Sequence, residues 1–343
     1  MIRYALRYLN LMVLTLLVLS VVSFALAYWF PGDPLTNLSG IQEATPQTER
    51  FLAEKYATEH NLFVQYWHYM QLVFSGDWGV SFSSGLPLYD EITLALPATL
   101  ELCAYAFLLS LIVGIPLGFI AGLKHYTGTD YTVLSLSVFS YSIPAFWLAL
   151  ILILIFCLQL GWLPLSGRIN LLFDVPHQTG FIVIDILLSD IQNKSAALND
   201  AFRHLVLPTI SIALINTAIT VRLARRSIID VMSKGYIIAA RSRGLTNNQI
   251  LWKHGVRNTL LPILPLIAAQ ITTLITNAMV IETIFSWPGI GNWLIQAIYQ
   301  RDYPAIRAGM LAVSSFVVIL TVSIELITRL LDPTRDKNER GTI

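Results

Sequence analysis

Residues 99–123 read TLELCAYAFLLSLIVGIPLGFIAGL, a stretch of 25 residues in which Glu101 is the one charged side chain. About 20 consecutive apolar residues are enough for a helix to cross the hydrocarbon core of a bilayer. Because no water reaches the backbone there, each N–H and C=O group must be satisfied within the segment, which favours an α-helix. The stretch therefore predicts a membrane-spanning helix.

The rest of the chain repeats this pattern. Of its 343 residues, 55% are hydrophobic and 13% are charged, whereas soluble domains average about 25% charged residues. The first apolar run ends in Tyr28, Trp29 and Phe30, an interfacial aromatic belt that favours a retained anchor helix over a cleaved signal peptide. We predict an all-α, polytopic bundle of six transmembrane helices. The predicted spans are Leu9–Phe30, Thr99–Leu123, Tyr131–Leu158, Leu205–Val221, Leu260–Ile281 and Ala308–Ile327.

Lysine and arginine are distributed unevenly between the two sides of the predicted bundle. With the N-terminus in the cytoplasm, an even number of spans returns the C-terminus to the same side. Seven of the 22 basic residues then face outward, namely Arg50, Lys55, Arg168, Lys194, Arg203, Arg301 and Arg307. Basic residues concentrate in cytoplasmic loops, so both termini are predicted to be cytoplasmic.

The spans also set the predicted domain organisation. The first external loop contains the apolar stretch Phe63–Phe74, which predicts a short helix. The predicted parts are an N-terminal anchor helix with a long external loop (1–98), a five-helix membrane core (99–331) with an external loop (159–204) and a cytoplasmic loop (222–259), and a cytoplasmic tail (332–343).

Several function classes lack their signatures in this sequence. It contains no G-x-x-x-x-G-K-[ST] loop for nucleotide, no H-E-x-x-H and no G-x-S-x-G. Cys103 and Cys157 lie in apolar runs and form no metal-ligand pattern, and the basic residues form no soluble nucleic-acid-binding domain. We predict a non-catalytic chain without a metal site. A secondary transporter or a membrane scaffold remains an alternative, although ion coupling usually uses carboxylates buried mid-span.

The cytoplasmic loop 222–259 carries strong helix signals. Residues 236–241 favour a short helix, and Gly244 provides its C-terminal stop. Thr246 and Gln249 form a capping box that begins a second helix. The small residues Ala239 and Ala240 are predicted to let a partner surface approach closely. A helical hairpin that docks on a partner protein is predicted; a solvated connection between two spans is the alternative.

This loop resembles the EAA loop of binding-protein-dependent ABC permeases, with Ile238 in place of the glutamate of that motif. In that family the loop is the coupling helix, which sits in a cleft of the ATP-binding subunit. The resemblance implies that the coupling residues of this chain are Tyr236, Ala239, Ala240, Arg241, Gly244, Leu245, His254 and Arg257.

Further motifs extend the resemblance over nearly the whole chain. They are Pro31-Gly32-Asp33-Pro34, residues 76–81 (GDWGVS), residues 97–102 (PATLEL), residues 142–147 (SIPAFW), residues 282–291 (ETIFSWPGIG) and Arg301-Asp302-Tyr303-Pro304. Together they resemble the B-type permeases of dipeptide and oligopeptide ABC transporters, and residues 161–190 resemble the B-type permease of the Sap-type peptide transport systems. The resemblance implies a type I ABC permease-like fold in a bacterial inner (plasma) membrane.

The same resemblance implies partners and cargo. Expected partners are a second homologous permease subunit of the C type, two ABC ATPase subunits and a periplasmic substrate-binding protein. ATP and Mg²⁺ are expected on the ATPase subunits, with no cofactor in this chain. Peptides, including antimicrobial peptides, are the expected cargo, and putrescine or polyamine export is the alternative. Import and export are both compatible with these residues.

Two groups of residues are candidates for the transport route. Gln270, Thr273 and Asn277 are spaced i, i+3 and i+7 in the fifth span and share one helical face, and Asn216 lies in the fourth span. Polar groups at such positions line a substrate pathway or hydrogen-bond neighbouring helices; both interpretations stand.

The segment after the fifth span predicts a re-entrant turn on the periplasmic side, with glycines that permit a tight backbone. The residues predicted to form an outer gate or to contact the binding protein are Trp287, Pro288, Gly289 and Gly291.

The second span carries a stripe of small residues. Gly114, Gly118 and Gly122 are spaced i, i+4 and i+8, so they share one helical face. Glycines at this spacing let two helix backbones approach closely, and close packing is the interpretation that we favour.

Overall fold

A computed structural model of the protein describes residues 2–331. The predicted tail, 332–343, therefore lies outside the described residues. Within them the chain is folded almost entirely into helices, as the apolar sequence predicts. The helices are α1 (Ile2–Trp29), α2 (Pro34–Ser39), α3 (Pro46–Lys55), α4 (Leu62–Phe74), α5 (Leu88–Leu123), α6 (Gly128–Ser142), α7 (Ala145–Leu152), α8 (Ile182–Leu188), α9 (Lys194–Met232), α10 (Gly235–Ser242), α11 (Asn247–Ile250), α12 (Val256–Ala268), α13 (Gln270–Ile284), α14 (Ile290–Gln300) and α15 (Tyr303–Leu331).

Four helices in the described part of the chain are long and apolar enough to cross a membrane, and the count reaches six when each of two bent pairs of helices is taken as one span. The prediction of six spans agrees with this upper count. The four single helices are Leu6–Trp29, Leu88–Leu123, Lys194–Met232 and Tyr303–Thr328, and the bent pairs are Gly128–Ser142 with Ala145–Gln159 and Leu251–Ile267 with Gln270–Ile284.

The helix that contains the fourth predicted span extends well beyond it. The span is predicted at Leu205–Val221, whereas α9 runs over 39 residues from Lys194 to Met232, which corresponds to about 59 Å. Polar side chains at both ends of α9 lower the local hydropathy without interrupting the helix. The helix is therefore much longer than the hydrocarbon core, which is about 30 Å thick.

The third predicted span is broken at Pro144. The helices on either side of the break lie at 95° to each other. Ile143 has an extended backbone, with φ −87° and ψ 121°, because the ring of a following proline excludes the helical conformation. By contrast, α5 continues through Pro116 without interruption.

The described chain divides by its internal contacts into two units. Unit 1 contains residues 2–100, 174–192 and 286–322, and unit 2 contains residues 101–173, 193–285 and 323–331. The division falls after Leu100, within α5, and the predicted boundary is at residue 98. Unit 1 also includes residues 174–192 and 286–322, which the predicted organisation assigned to the core.

Unit 1 has two apolar clusters. In the first, Leu88 and Ile92 of α5 pack against Ile290 of α14 and Ala305 and Ala308 of α15. In the second, the ends of α1 and of the loop helices α2 to α4 come together. Its buried residues are Phe24, Ala27, Leu38, Leu52, Tyr56 and Tyr69.

Unit 2 is organised around α9, which packs against α6, α7, α12 and α13. The second half of α5 also lies against α9 through the glycine stripe. A Cβ atom at Gly118 would lie 2.6 Å from the carbonyl oxygen of Val221, and one at Gly122 would lie 2.2 Å from a methyl group of Ile228. The two helices touch this closely because glycine has no side chain, as the stripe predicts.

Candidate functional site

The most distinctive feature of unit 2 is the helical hairpin formed by residues 233–258, which follows α9 and leads into α12. Its first helix, α10, ends before Gly244, whose φ of +80° is the left-handed conformation that glycine adopts readily. The capping box then forms as predicted: Thr246 N–H donates to Gln249 Oε1 at 2.9 Å, and Gln249 N–H donates to Thr246 Oγ1 at 3.4 Å. These two bonds begin α11.

The hairpin has an apolar interior of its own. Ile237, Ala240 and Ile250 are buried together, with Met232 and Leu245 packed against them. A hairpin whose interior is filled in this way keeps a defined shape.

The two predicted contact alanines therefore have different environments. Ala239 is exposed, but Ala240 faces the hairpin interior. The prediction that both alanines meet a partner surface is wrong for Ala240 in this conformation, because they are consecutive in a helix and point about 100° apart.

Large apolar side chains lie on the outside of the hairpin. Ile238 is 58% exposed and Trp252 is 75% exposed. Tyr236, also exposed, accepts a hydrogen bond from Asn258 Nδ2 at 3.3 Å and makes an edge contact with the ring of His254. The sequence analysis did not single out Trp252.

The other predicted coupling residues lie around this surface. Arg241, Gly244 and Arg257 are exposed, whereas Leu245 and His254 are partly buried. The exposed outer surface of the hairpin thus combines apolar and basic side chains.

An ion-pair cluster holds the start of α6 to α9. Arg225 donates from Nε to Asp130 Oδ1 at 2.6 Å and from Nη2 to Asp130 Oδ2 at 2.7 Å. His125 Nδ1 lies 2.9 Å from Arg225 Nη2 and 3.1 Å from Asp130 Oδ2. Asp130 is only 1% exposed, so its buried negative charge is compensated by the other members of this cluster. Sequence reasoning did not single out these residues, because they are separated by 95 positions.

The four candidate pathway residues all lie in unit 2, but their environments differ. Asn216 and Gln270 are buried, Asn277 is partly buried and Thr273 is exposed. Neither amide atom of Gln270 has a hydrogen-bond partner, and Oδ1 of Asn216 also lacks one. Buried polar atoms usually have partners, so these two side chains are unusual.

The predicted outer turn belongs to unit 1, where it is anchored on α5. Trp287 is fully buried, and its Nε1 donates to the Ala98 carbonyl at 3.0 Å, while Ile290 N–H donates to Thr99 Oγ1 at 2.9 Å. Pro288 is exposed, but Gly289 and Gly291 are buried.

This geometry changes how the turn is interpreted. Gly289 has an ordinary φ of −96° and Gly291 is helical, whereas the left-handed residue is Ser286, with φ +48°. Tight backbone at the two glycines is therefore not what forms the turn. Trp287 is covered by its own chain in this conformation, and Ser286 and Pro288 are the exposed residues of the turn.

The start of α15 is tied to the first external loop by two buried side chains that the sequence did not reveal. Asp302 accepts hydrogen bonds from Ser81 Oγ at 2.6 Å and from Ser83 N–H at 3.1 Å. Arg307 donates to the carbonyl groups of Leu38 and Trp78, at 3.2 and 3.0 Å. These contacts give unit 1 a fixed loop structure.

Among residues 2–331, no group of three or more His, Cys, Asp or Glu side chains is arranged to hold a metal ion. The features that stand out are instead the exposed apolar and basic side chains of the hairpin and the buried neutral polar groups in helices that cross a membrane.

Comparison with known families agrees with this arrangement. Residues 114–337 match the family described as binding-protein-dependent transport system inner membrane component, and residues 1–103 match its N-terminal region. The chain belongs to this family. It is a multi-pass transmembrane permease subunit of an ABC transporter, as the EAA-like loop and the other motifs predicted.

Individual permeases are similar over almost their whole length. The di/tripeptide transport system permease protein DppB of Pseudomonas aeruginosa is 37% identical over 97% of this chain and 98% of its own. The putrescine export system permease protein SapB of Escherichia coli K12 is 38% identical over 98% of each chain. The peptide transport system permease protein SapB of Salmonella typhimurium is 37% identical over the same shares. These relatives are transport permeases.

Proposed function

We propose that this permease moves peptides across the inner membrane and is driven by separate ATPase subunits that bind the hairpin 233–258. In this proposal both termini and the hairpin face the cytoplasm. ATP and Mg²⁺ are bound by the partner chains, and this chain hydrolyses no nucleotide. The observation that carries the proposal is the hairpin surface, which exposes large apolar side chains although the hairpin already has a filled interior.

The composition of that surface favours a protein partner. Ile238 and Trp252 are 58% and 75% exposed, and both would leave water in a docked complex. Arg241 and Arg243 supply charges for a polar rim around them. Most of the coupling residues transferred from the EAA loop lie on or beside this surface, whereas Ala240 and Leu245 belong to the hairpin interior. The exposed ones support the same assignment.

A continuous helix connects the hairpin to the candidate pathway. Asn216 and Met232 are both in α9, 16 residues or about 24 Å apart. Because α9 is unbroken, a displacement of the hairpin is transmitted to the level of Asn216. Closure of the ATPase subunits on ATP would in this way alternate the open side of the helix bundle.

The remaining partners follow from the family. We include a second, C-type permease subunit, two ABC ATPase subunits and a periplasmic substrate-binding protein. The exposed residues Ser286 and Pro288 are the part of the outer turn available to such a binding protein, with Trp287, Gly289 and Gly291 supporting them from within.

The candidate pathway residues favour peptides as cargo. Asn216, Gln270, Thr273 and Asn277 are uncharged donors and acceptors, which suit the amide groups of a peptide. A polyamine carries several positive charges, and its binding would be favoured by carboxylates, which this set does not include.

Crosslinking tests the docking step. Cys103 and Cys157 would be replaced by serine, and Ile238→Cys introduced into the complete transporter. A thiol crosslinker should join residue 238 to an ATPase subunit, whereas Ile237→Cys, buried in the hairpin interior, should give no such product. Equal yields at 237 and 238, or no product at 238, would contradict the proposal.

Polyamine export is the second candidate, favoured by the similarity to the putrescine export system permease of Escherichia coli K12. The complete transporter in sealed vesicles, with ATP supplied to the ATPase side, separates the two. ATP-dependent movement of di- and tripeptides supports the first proposal. Movement of labelled putrescine, with no effect of competing peptides, supports the second.

A further inference from the structure

Helix α4, in the first external loop, exposes a row of large aromatic side chains. Phe63 is 75% exposed, Trp67 is 59% exposed and Phe74 is 84% exposed. We refer to these three residues as the aromatic stripe. Residues 62–74 contain no Asp, Glu, Lys or Arg. A contiguous apolar patch of this kind on a protein surface marks a contact with a partner or with a membrane.

Three side-chain hydrogen bonds fix α4 against α1, which is a membrane span. Tyr66 Oη lies 2.6 Å from Ser20 Oγ, and Tyr69 Oη lies 3.0 Å from Ser23 Oγ. Tyr28 donates from its hydroxyl to Oε1 of Gln65. The ring of Phe24 packs between these pairs, against Tyr66 and Tyr69.

These bonds place α4 beside the membrane-crossing part of α1. Ser20 and Ser23 lie nine and six residues before Trp29, where α1 ends, which corresponds to about 14 and 9 Å along the axis. Because α1 is a candidate membrane span, a helix that packs on these two serines reaches the level of the bilayer.

The same bonds fix the rotation of α4 about its axis. With 100° per residue and Tyr69 facing α1, Tyr66 lies at about +60° and Gln65 at about −40°. The aromatic stripe falls at about +120° to +160°, whereas His68 falls at about −100°. The stripe is therefore directed away from α1, and the described chain leaves it exposed.

From this geometry we infer that α4 is an interfacial helix whose aromatic stripe is immersed in the lipid of one leaflet, at the Trp29 end of α1. Phe and Trp are favoured on the apolar face of helices that lie in the membrane interface. Gln65 is buried against α1, and His68 lies about 120° around the helix from the middle of the stripe, on the side that faces water in this arrangement. The inference does not depend on the hairpin 233–258 or on the identity of the cargo. It makes the first loop a membrane-attached element rather than a free external loop.

Spin-label accessibility in the complete transporter, reconstituted in phospholipid vesicles, tests this inference. Trp67→Cys and the adjacent His68→Cys would each be labelled with a nitroxide after Cys103 and Cys157 are replaced by serine. Oxygen concentrates in lipid, and a nickel chelate stays in water. The label at 67 should be relaxed several-fold more strongly by oxygen than by the chelate, and the label at 68 should show the reverse order.

A second labelled variant, Phe74→Cys, guards against a local effect of replacing Trp67, and ATP hydrolysis by each labelled complex checks that it is assembled. Positions 67 and 74 should agree. Strong relaxation of both labels by the nickel chelate would overturn the inference, because the stripe would then face water. Protection of both labels from both reagents would also overturn it, because the stripe would then be covered by protein.

Discussion

The guanidinium group of Arg225 forms a two-pronged pair with Asp130, through hydrogen bonds of 2.6 and 2.7 Å that join α9 to the first turn of α6. Both carboxylate oxygens are engaged, and Tyr126 N–H donates to one of them at 3.0 Å. Because Asp130 is only 1% exposed, its charge is compensated almost wholly by these donors. Arg225 lies in α9 before the hairpin. The pair therefore holds the helix through which a movement of the hairpin would be transmitted.

Replacing Arg225 should destabilise the permease strongly. Arg225→Ala leaves a buried carboxylate without its main partner, a change that typically costs about 3–5 kcal/mol. Arg226 is exposed and adjacent, so Arg226→Ala is the matched control and should have little effect. Thermal unfolding of the purified transporter measures both. Adding Asp130→Asn to Arg225→Ala should restore part of the lost stability, and no restoration would argue against the pair as the cause.

Much of the helical framework could be predicted from residue patterns alone. Apolar runs identified the regions that cross the membrane, and Gly244, Thr246 and Gln249 identified the turn of the hairpin, because a left-handed glycine and a capping box act over a few residues. The glycine stripe likewise predicted a close approach between helices.

Contacts between distant residues could not be predicted in this way. Nothing in the local sequence links Arg225 to Asp130, or Trp287 to the carbonyl of Ala98, since each pairing depends on how helices pack. The angle of 95° between the helices on either side of Pro144 is likewise not visible in the local sequence. Ala240 points inward because the hairpin has an apolar interior, and this interior forms only when both helices of the hairpin are folded.

Substitutions in the glycine stripe should separate backbone contacts from side-chain contacts. Gly118→Ala places a methyl group against the Val221 carbonyl at 2.6 Å, whereas Gly122→Ala meets the Ile228 side chain first, at 2.2 Å. Each should cost about 1–3 kcal/mol by overpacking. Gly128→Ala, with no atom within 4 Å, is the control and should leave the thermal unfolding temperature unchanged.

Shortening Ile228 tests the same point. Ile228→Ala should relieve part of the defect of Gly122→Ala and none of the defect of Gly118→Ala, because the latter contact is with backbone. Equal relief in both double variants would show that the helices adjust as rigid bodies instead.

The alanines of the hairpin should respond differently to enlargement. Ala240→Leu forces three extra carbons into the cluster of Ile237 and Ile250, and overpacking of this kind costs about 1–3 kcal/mol. Ala239→Leu adds the same bulk on the exposed side and should leave the permease stable while weakening co-purification with the ATPase subunits. Thermal unfolding and co-purification measured on both variants distinguish the two effects. Normal co-purification of Ala239→Leu would place the contact elsewhere on the hairpin.

The buried carboxylate of Asp185 should give unit 1 a defined pH dependence. Burial alone raises its pKa, but hydrogen bonds from the Thr179 hydroxyl and from the N–H groups of Thr179 and Gly180 outweigh this and lower the pKa below its ordinary value. A group with a lowered folded-state pKa stabilises the fold above its unfolded pKa, about 3.9 for aspartate. That contribution is lost as the pH falls through the folded-state pKa.

Asp185→Asn should therefore weaken this loop at neutral pH. Hydrogen bonds to a charged acceptor are worth about 1.5–3 kcal/mol, so amide hydrogen exchange in residues 178–182 should be faster in the variant at pH 7. The difference from the unmodified protein should shrink as the pH is lowered below 4. Asp190→Asn, at an exposed position, should not alter exchange, and a difference that persists unchanged in acid would contradict the assignment.

The unpartnered amide of Gln270 distinguishes a transport role from a packing role. Neither of its amide atoms has a hydrogen-bond partner although the side chain is buried, and an unpaired buried polar group costs about 1–3 kcal/mol. Gln270→Leu should therefore keep or raise thermal stability, because it removes that cost without breaking a hydrogen bond. If the amide serves passing peptides, ATP-driven peptide flux should fall in the same variant.

For the pathway proposal to hold, flux must fall in Gln270→Leu while thermal stability is kept or raised. Thr276→Val, in the same helix but exposed, is the control and should change neither. Loss of both stability and flux in Gln270→Leu would mean that the amide has a structural partner, and unchanged flux with raised stability would remove Gln270 from the pathway. A residue retained at a cost to the fold, and needed only when cargo passes, is what a substrate-contacting side chain in a permease is expected to be.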